Sequence, residues 1–129
     1  MGRCQPGFGV KSFPVGLQGE GTWTSVYVAT PSVPAPVLRG IARYAGVHLY
    51  NEGGDVLYAT PDLLAVHTVA GGQREFRLPC KVEVIYDLFN RCELARDSES
   101  FQTQLAPAST AMFYTGTNDL LKRLNDSTL

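Results

Sequence analysis

Charge, histidine and sulfur are all scarce in this sequence of 129 residues: 18% of positions are Asp, Glu, Lys or Arg, two are His and three are Cys. The formal net charge of −1 and a pI of about 6.1 remove any general electrostatic case for binding nucleic acid or acidic membrane surfaces. Long apolar runs are missing too. Val26-Tyr27-Val28-Ala29 and Leu63-Leu64-Ala65-Val66 fall far short of the roughly 20 residues that span a bilayer, so no membrane partner is expected. The opening Met1-Gly2-Arg3-Cys4-Gln5-Pro6 lacks the apolar core of a secretory signal, which makes the cytoplasm the expected location. Length excludes a complete barrel enzyme, which takes about 250 residues. It accommodates one domain and a fragment of a second.

The three cysteines, Cys4, Cys80 and Cys92, cannot all pair within one chain, and their spacing matches no C-x-x-C or C-x-x-H metal pattern. A bridge between Cys80 and Cys92 across the hairpin-like segment 82–94 is geometrically conceivable. Free thiols in a reducing compartment are the expectation. No metal or other cofactor is expected.

The patterning that is present changes along the chain. Residues 1–21 form a glycine-rich arm in which Gly16, Gly19 and Gly21 surround Glu20, with a short strand expected near 11–15. Residues 22–46 read as a strand and a helix. The strand, 23–29, is dominated by aromatic and β-branched residues. Ser32 is placed to cap the helix, whose first turn tolerates Pro34 because the early N–H groups have no intrahelical acceptor. Val37, Leu38, Ile41, Ala42 and Ala45 make its apolar face, Arg39 and Arg43 lie opposite, and Gly46 sits where a left-handed C-terminal cap belongs.

From Val47 the period switches to two. Segments 47–50 and 55–59 flank Asn51-Glu52-Gly53-Gly54, a hairpin signature. Further strands are expected over 63–69, 73–78, 82–88, 92–95, 101–105 and 110–115. Strands this short, separated by turn signals, indicate a mainly β (α+β) fold in which residues 47–116 form an antiparallel sandwich or barrel-like domain. The tail, 117–129, holds a short helix after Asn118 with Leu120, Leu121 and Leu124. Residues 1–46 carry Arg3, Lys11, Arg39 and Arg43 against Glu20, a net of +3, so the remainder carries −4. That division favours self-association weakly.

Few groups are available for chemistry. His48 and His67 both fall in expected strands, and neither has the i, i+2 or i, i+4 partner of a zinc site. Ser25, Ser32 and Ser109 lie outside any G-x-S-x-G context. Gly53-Gly54 and Gly71-Gly72 lead into strands, so they do not make a phosphate cradle. Asp55 and Asp62 could share a rim, but glycoside hydrolysis needs two carboxyls about 5–9.5 Å apart across a cleft, and turn chemistry explains both. A small enzyme built on His48, His67 and Asp55 would need all three to converge. Trp23, Tyr27, Tyr44, Tyr50 and Tyr58, with His48 and His67, are the candidate ligand or interface residues. Exposed rings among them would make a saccharide-binding platform.

One resemblance extends over about three quarters of the chain. The run Ser25-Val26-Tyr27-Val28-Ala29-Thr30-Pro31, then Leu38-Arg39 through Ala45-Gly46-Val47-His48-Leu49-Tyr50, resembles the C-terminal portion of large β-galactosidase-like glycoside hydrolases. The likeness continues through Gly54-Asp55-Val56-Leu57-Tyr58-Ala59, Leu64-Ala65-Val66-His67, Arg77-Leu78-Pro79, Tyr86-Asp87-Leu88-Phe89 and Ser109-Thr110-Ala111-Met112-Phe113-Tyr114. In such enzymes a catalytic barrel comes first, then a flavodoxin-like domain often used in trimerisation, then a small antiparallel β-domain. The resemblance implies that 23–46 corresponds to the last strand and helix of the middle domain and 47–116 to the terminal β-domain. The catalytic glutamates belong to the barrel, so no catalytic residue carries over. What is implied is a non-catalytic accessory β-domain whose strand-helix unit docks onto the β-domain or pairs with the same element of another chain; a homo-oligomer, most simply a homodimer, is the expectation. A carbohydrate-binding module is the alternative.

Overall fold

The computed structural model describes residues 15–20 and 23–127, and the chain divides into two units, Met1–Leu49 and Tyr50–Leu129. In the first unit β1 (Val15–Glu20) pairs antiparallel with β2 (Trp23–Val28), from Val15 opposite Val28 to Glu20 opposite Trp23. The glycine-rich stretch thus supplies a strand, while the strand expected near 11–15 lies almost wholly outside the described residues.

Helix α1 (Ala35–Tyr44) starts later than the Ser32 cap implies. Pro34, extended at φ −61° and ψ 143°, occupies the cap position, and its carbonyl accepts from the N–H groups of Val37 and Leu38. Ser32 is instead held in a turn by the Thr30 hydroxyl. A proline cannot donate, so it loses nothing at a helix start. At the other end Gly46 adopts φ 72°. Gly46 N–H donates to the Arg43 carbonyl and Val47 N–H to the Ala42 carbonyl, the paired bonds of a Schellman ending.

The second unit is a five-stranded antiparallel sheet in the order β3-β4-β7-β5-β6. Its strands are β3 (Val56–Ala59), β4 (Leu63–Thr68), β5 (Gly72–Asp87), β6 (Cys92–Leu105) and β7 (Ser109–Gly116). Two of these fuse segments that local pattern separates. Strand β5 runs through Pro79 with a register irregularity between Arg77 and Val82; proline within a sheet belongs at such a bulge. Strand β6 runs through the polar Arg96–Ser100 stretch because it pairs only with β5 and its outer side meets solvent. The hairpin expected between 47–50 and 55–59 does not form. Residues 47–55 contain no strand, and β3 pairs with β4, Val56 lying opposite His67 and Ala59 opposite Leu64.

Side chains alternate across the sheet. One face buries Leu64 and Val66 of β4, Phe76, Leu78 and Ile85 of β5, Phe101 and Leu105 of β6, and Ala111 and Phe113 of β7. The first half of β5 has β6 on one side only, since β7 reaches β5 just over Val84–Asp87. Yet Phe76 and Phe101, stacked at 5.2 Å, both meet Phe113 of β7, at 5.9 and 5.0 Å between ring centroids. The sheet therefore curls over its own core, in the sandwich- or barrel-like manner of a mainly β, α+β fold.

On the opposite face, helix α2 (Asn118–Asp126) buries Leu121 against Val84 and Tyr114. The cap residue is Thr117, one position before the expected Asn118. The Glu83 carboxylate accepts from Asn118 N–H at 3.0 Å and completes the first turn; a negative group there also favours the helix dipole. No helix among the described residues is long and apolar enough to cross a membrane.

Candidate functional site

Four of the seven candidate residues lie in the first unit. Trp23 opens β2, with its side chain outside the described set. Tyr27 is 70% exposed on β2 and Tyr44 is 53% exposed at the end of α1. His48 is exposed in the segment after the helix and belongs to no strand.

The other three belong to the second unit. Tyr58 is 73% exposed on β3. His67, on β4, is exposed, and its Nδ1 lies 2.9 Å from Thr110 Oγ1. Val56 opposes His67 and Tyr58 opposes Ala65, so Tyr58 and His67 share the sheet face turned away from the phenylalanine cluster. Tyr50 is half-buried and packs against the core.

Tyr50 also forms part of a cleft of about 470 Å³. Its walls come from the end of β3 and the β3–β4 turn, from β4, from Thr115 of β7 and from the bulged middle of β5, where Leu78, Pro79, Cys80 and Val82 line it. None of its lining residues is Asp, Glu, His, Lys or Arg; the polar contributions are limited to Tyr50, Thr60, Cys80 and Thr115. Local pattern did not disclose this cleft, because its walls are distant in sequence. The one available signal is Pro79 inside an alternating run, which marks a bulge. Cys80 and Cys92 are free, exposed thiols, and Cys4 lies outside the described residues.

The carboxylates of Asp55 and Asp87 are occupied structurally. The side chain of Asp55 is only 3% exposed and pairs with Arg74, Nε to Oδ2 at 2.7 Å and Nη2 to Oδ1 at 3.3 Å. Hydrogen bonding from Arg74 holds its carboxyl below the usual carboxylate range, opposed by burial and helped by Thr68 and Asn51. The Asp62 carbonyl accepts from Thr115 N–H. Asp87, 2% exposed, accepts from Phe89 N–H, Asn90 N–H and Asn90 Nδ2, which builds the β5–β6 turn. Among the described residues no group of three His, Cys, Asp or Glu is placed to hold a metal ion.

Asp55, Arg74, Asp87 and Glu83 thus serve turns and ties, while the cleft lining carries no charge and β3 exposes Val56 and Tyr58. Comparison with protein-family models, with curated protein sequences and with solved structures finds no match for this chain.

Proposed function

We propose that the β-domain acts by contact and not by catalysis, as an accessory-type module resembling the C-terminal module of a glycoside hydrolase. The observation that carries this reading is the uncharged, exposed edge strand β3. Among the described residues β3 has a strand on one side only, it exposes Val56 and Tyr58, and its last residue, Ala59, is already a wall of the cleft. An open strand edge is a template for another strand. The opposite edge, β6, is guarded by Glu93, Arg96, Asp97 and Glu99, whereas Val56-Leu57-Tyr58-Ala59 has no charge.

A second copy of the chain is the simplest partner. Antiparallel pairing of two β3 strands about Tyr58 would set Leu57 opposite Ala59, so both stay on the core face and the two tyrosines meet on the other. Sedimentation of the wild-type chain should show a dimer at high micromolar concentration. Tyr58→Lys should return it to a monomer, and a monomeric wild type would contradict self-association.

A saccharide is the second reading, favoured by the exposed Tyr58 ring sharing a face with the hydrogen-bonded His67–Thr110 pair. It requires calorimetric binding to galactosides or plant polysaccharides that Tyr58→Ala abolishes.

A further inference from the structure

The cleft between the β3–β4 turn and the bulge of β5 is selective in both size and chemistry. Its volume of about 470 Å³ lies within the range of about 300–1,000 Å³ usual for small-molecule sites. Leu64, Leu78 and Thr115 are its buried lining. Ala59, Thr60, Pro61, Pro79 and Cys80 are exposed and form its rim. This rim offers few donors to water. Pro61 and Pro79 have no N–H. Thr60 N–H donates to the Leu63 carbonyl at 2.8 Å and Leu63 N–H to Thr60 Oγ1 at 3.1 Å. Thr115 N–H donates to the Asp62 carbonyl at 2.9 Å. Water with few partners is displaced at little cost, so an apolar body gains by taking its place. An ionised group would give up its hydration there with no opposite charge in the lining to receive it.

We infer that this cleft is a binding site for a neutral, largely apolar small molecule with the bulk of two or three rings. A cavity of about 150 Å³ holds a single benzene ring, which sets that bulk. Binding here is separate from strand pairing along β3 and does not require it. The molecule carries its own reporter. Cys80 is a free, exposed thiol in the cleft wall. Cys92 is equally free and exposed, but it lies opposite Asp87 at the far end of β5 and takes no part in the lining. A ligand in the cleft shields the first thiol and leaves the second open.

Fluorescence titration of the whole chain with N-phenylnaphthylamine and with anilinonaphthalenesulfonate tests this, because the two probes share a ring skeleton and differ in charge. The neutral probe should saturate a single site and bind at least about tenfold more tightly than the sulfonate. At saturation it should slow alkylation of Cys80 by N-ethylmaleimide about fivefold or more, with Cys92 staying within about twofold. Ala59→Trp adds an indole to the rim from an exposed position, and should weaken the neutral probe about tenfold while Cys92 alkylation stays unchanged. Equal affinity for the two probes, or binding that leaves Cys80 as reactive as before, would overturn the inference. Slower alkylation of Cys80 on raising the protein concentration without probe would give the cleft to a second copy, and would overturn it too.

Discussion

The two units satisfy the same demands at very different sequence range. In residues 15–49 the ties are short. Strand β1 pairs with its neighbour β2, and α1 is ended by bonds that span only a few residues. Val37 is the one fully buried side chain described there. In residues 50–127 the ties are long: Leu64 lies opposite Phe113, Phe76 opposite Phe101, and Asp55 binds Arg74. Local bonds define where an element starts and stops. Long-range bonds build a core and decide which edges stay open, and the surface we propose for contact, the β3 edge, lies in the second unit.

Substitutions can break that contrast, and the largest effect belongs to the long-range core. Phe113 is wholly buried and touches both other rings, so Phe113→Ala should cost about 3–5 kcal/mol in a urea titration. The amides of α1 should be unaffected if the units are energetically separate.

Asp55→Asn comes next, because it leaves Arg74 without its carboxylate. Its thermal midpoint should fall by roughly 5–10 °C. The acid limb identifies the cause. Asp55 titrates lower in the folded chain than in the unfolded one, so its contribution is complete above the ordinary carboxylate range and is lost as pH falls through the depressed value. The gap between wild type and variant should therefore be constant near neutrality and shrink below about pH 4.

Gly46→Ala acts on a local tie. At φ 72° an alanine should cost about 1–2 kcal/mol, read as loss of protection at the amides of position 46 and Val47 with no change in β4 or β7. Arg96→Ala should do least. Its bonds to Glu93 join two exposed side chains within one strand, and screening leaves such pairs with little net effect. A shift in midpoint beyond measurement error would mean that β6 is more rigid than an exposed edge should be.

The same contrast explains how much was legible in the sequence. Strands β4 and β7, both helices and the mainly β class follow from period and from Gly46, all local signals. The continuity of β5 was hidden by Pro79, which looks like a break and is a bulge. The continuity of β6 was hidden by Arg96-Asp97-Ser98-Glu99-Ser100, whose polarity reflects an exposed edge and not a loop. Asn51-Glu52-Gly53-Gly54 looks like a hairpin turn, but Asp55 finds Arg74 nineteen positions away, and that half-buried pair overrides the local preference. Of the candidate site, Tyr58 and His67 could be placed on one face by alternation once β3 and β4 were paired. The cleft could not, because its walls meet only after the sheet curls.

We propose that the chain works through the uncharged edge strand β3. Hydrogen exchange of the wild-type chain at low and at high concentration tests it most directly. Amides of Val56–Ala59 should gain protection as concentration rises while those of β6 do not. Unchanged protection along β3, or a gain along β6 instead, would contradict it.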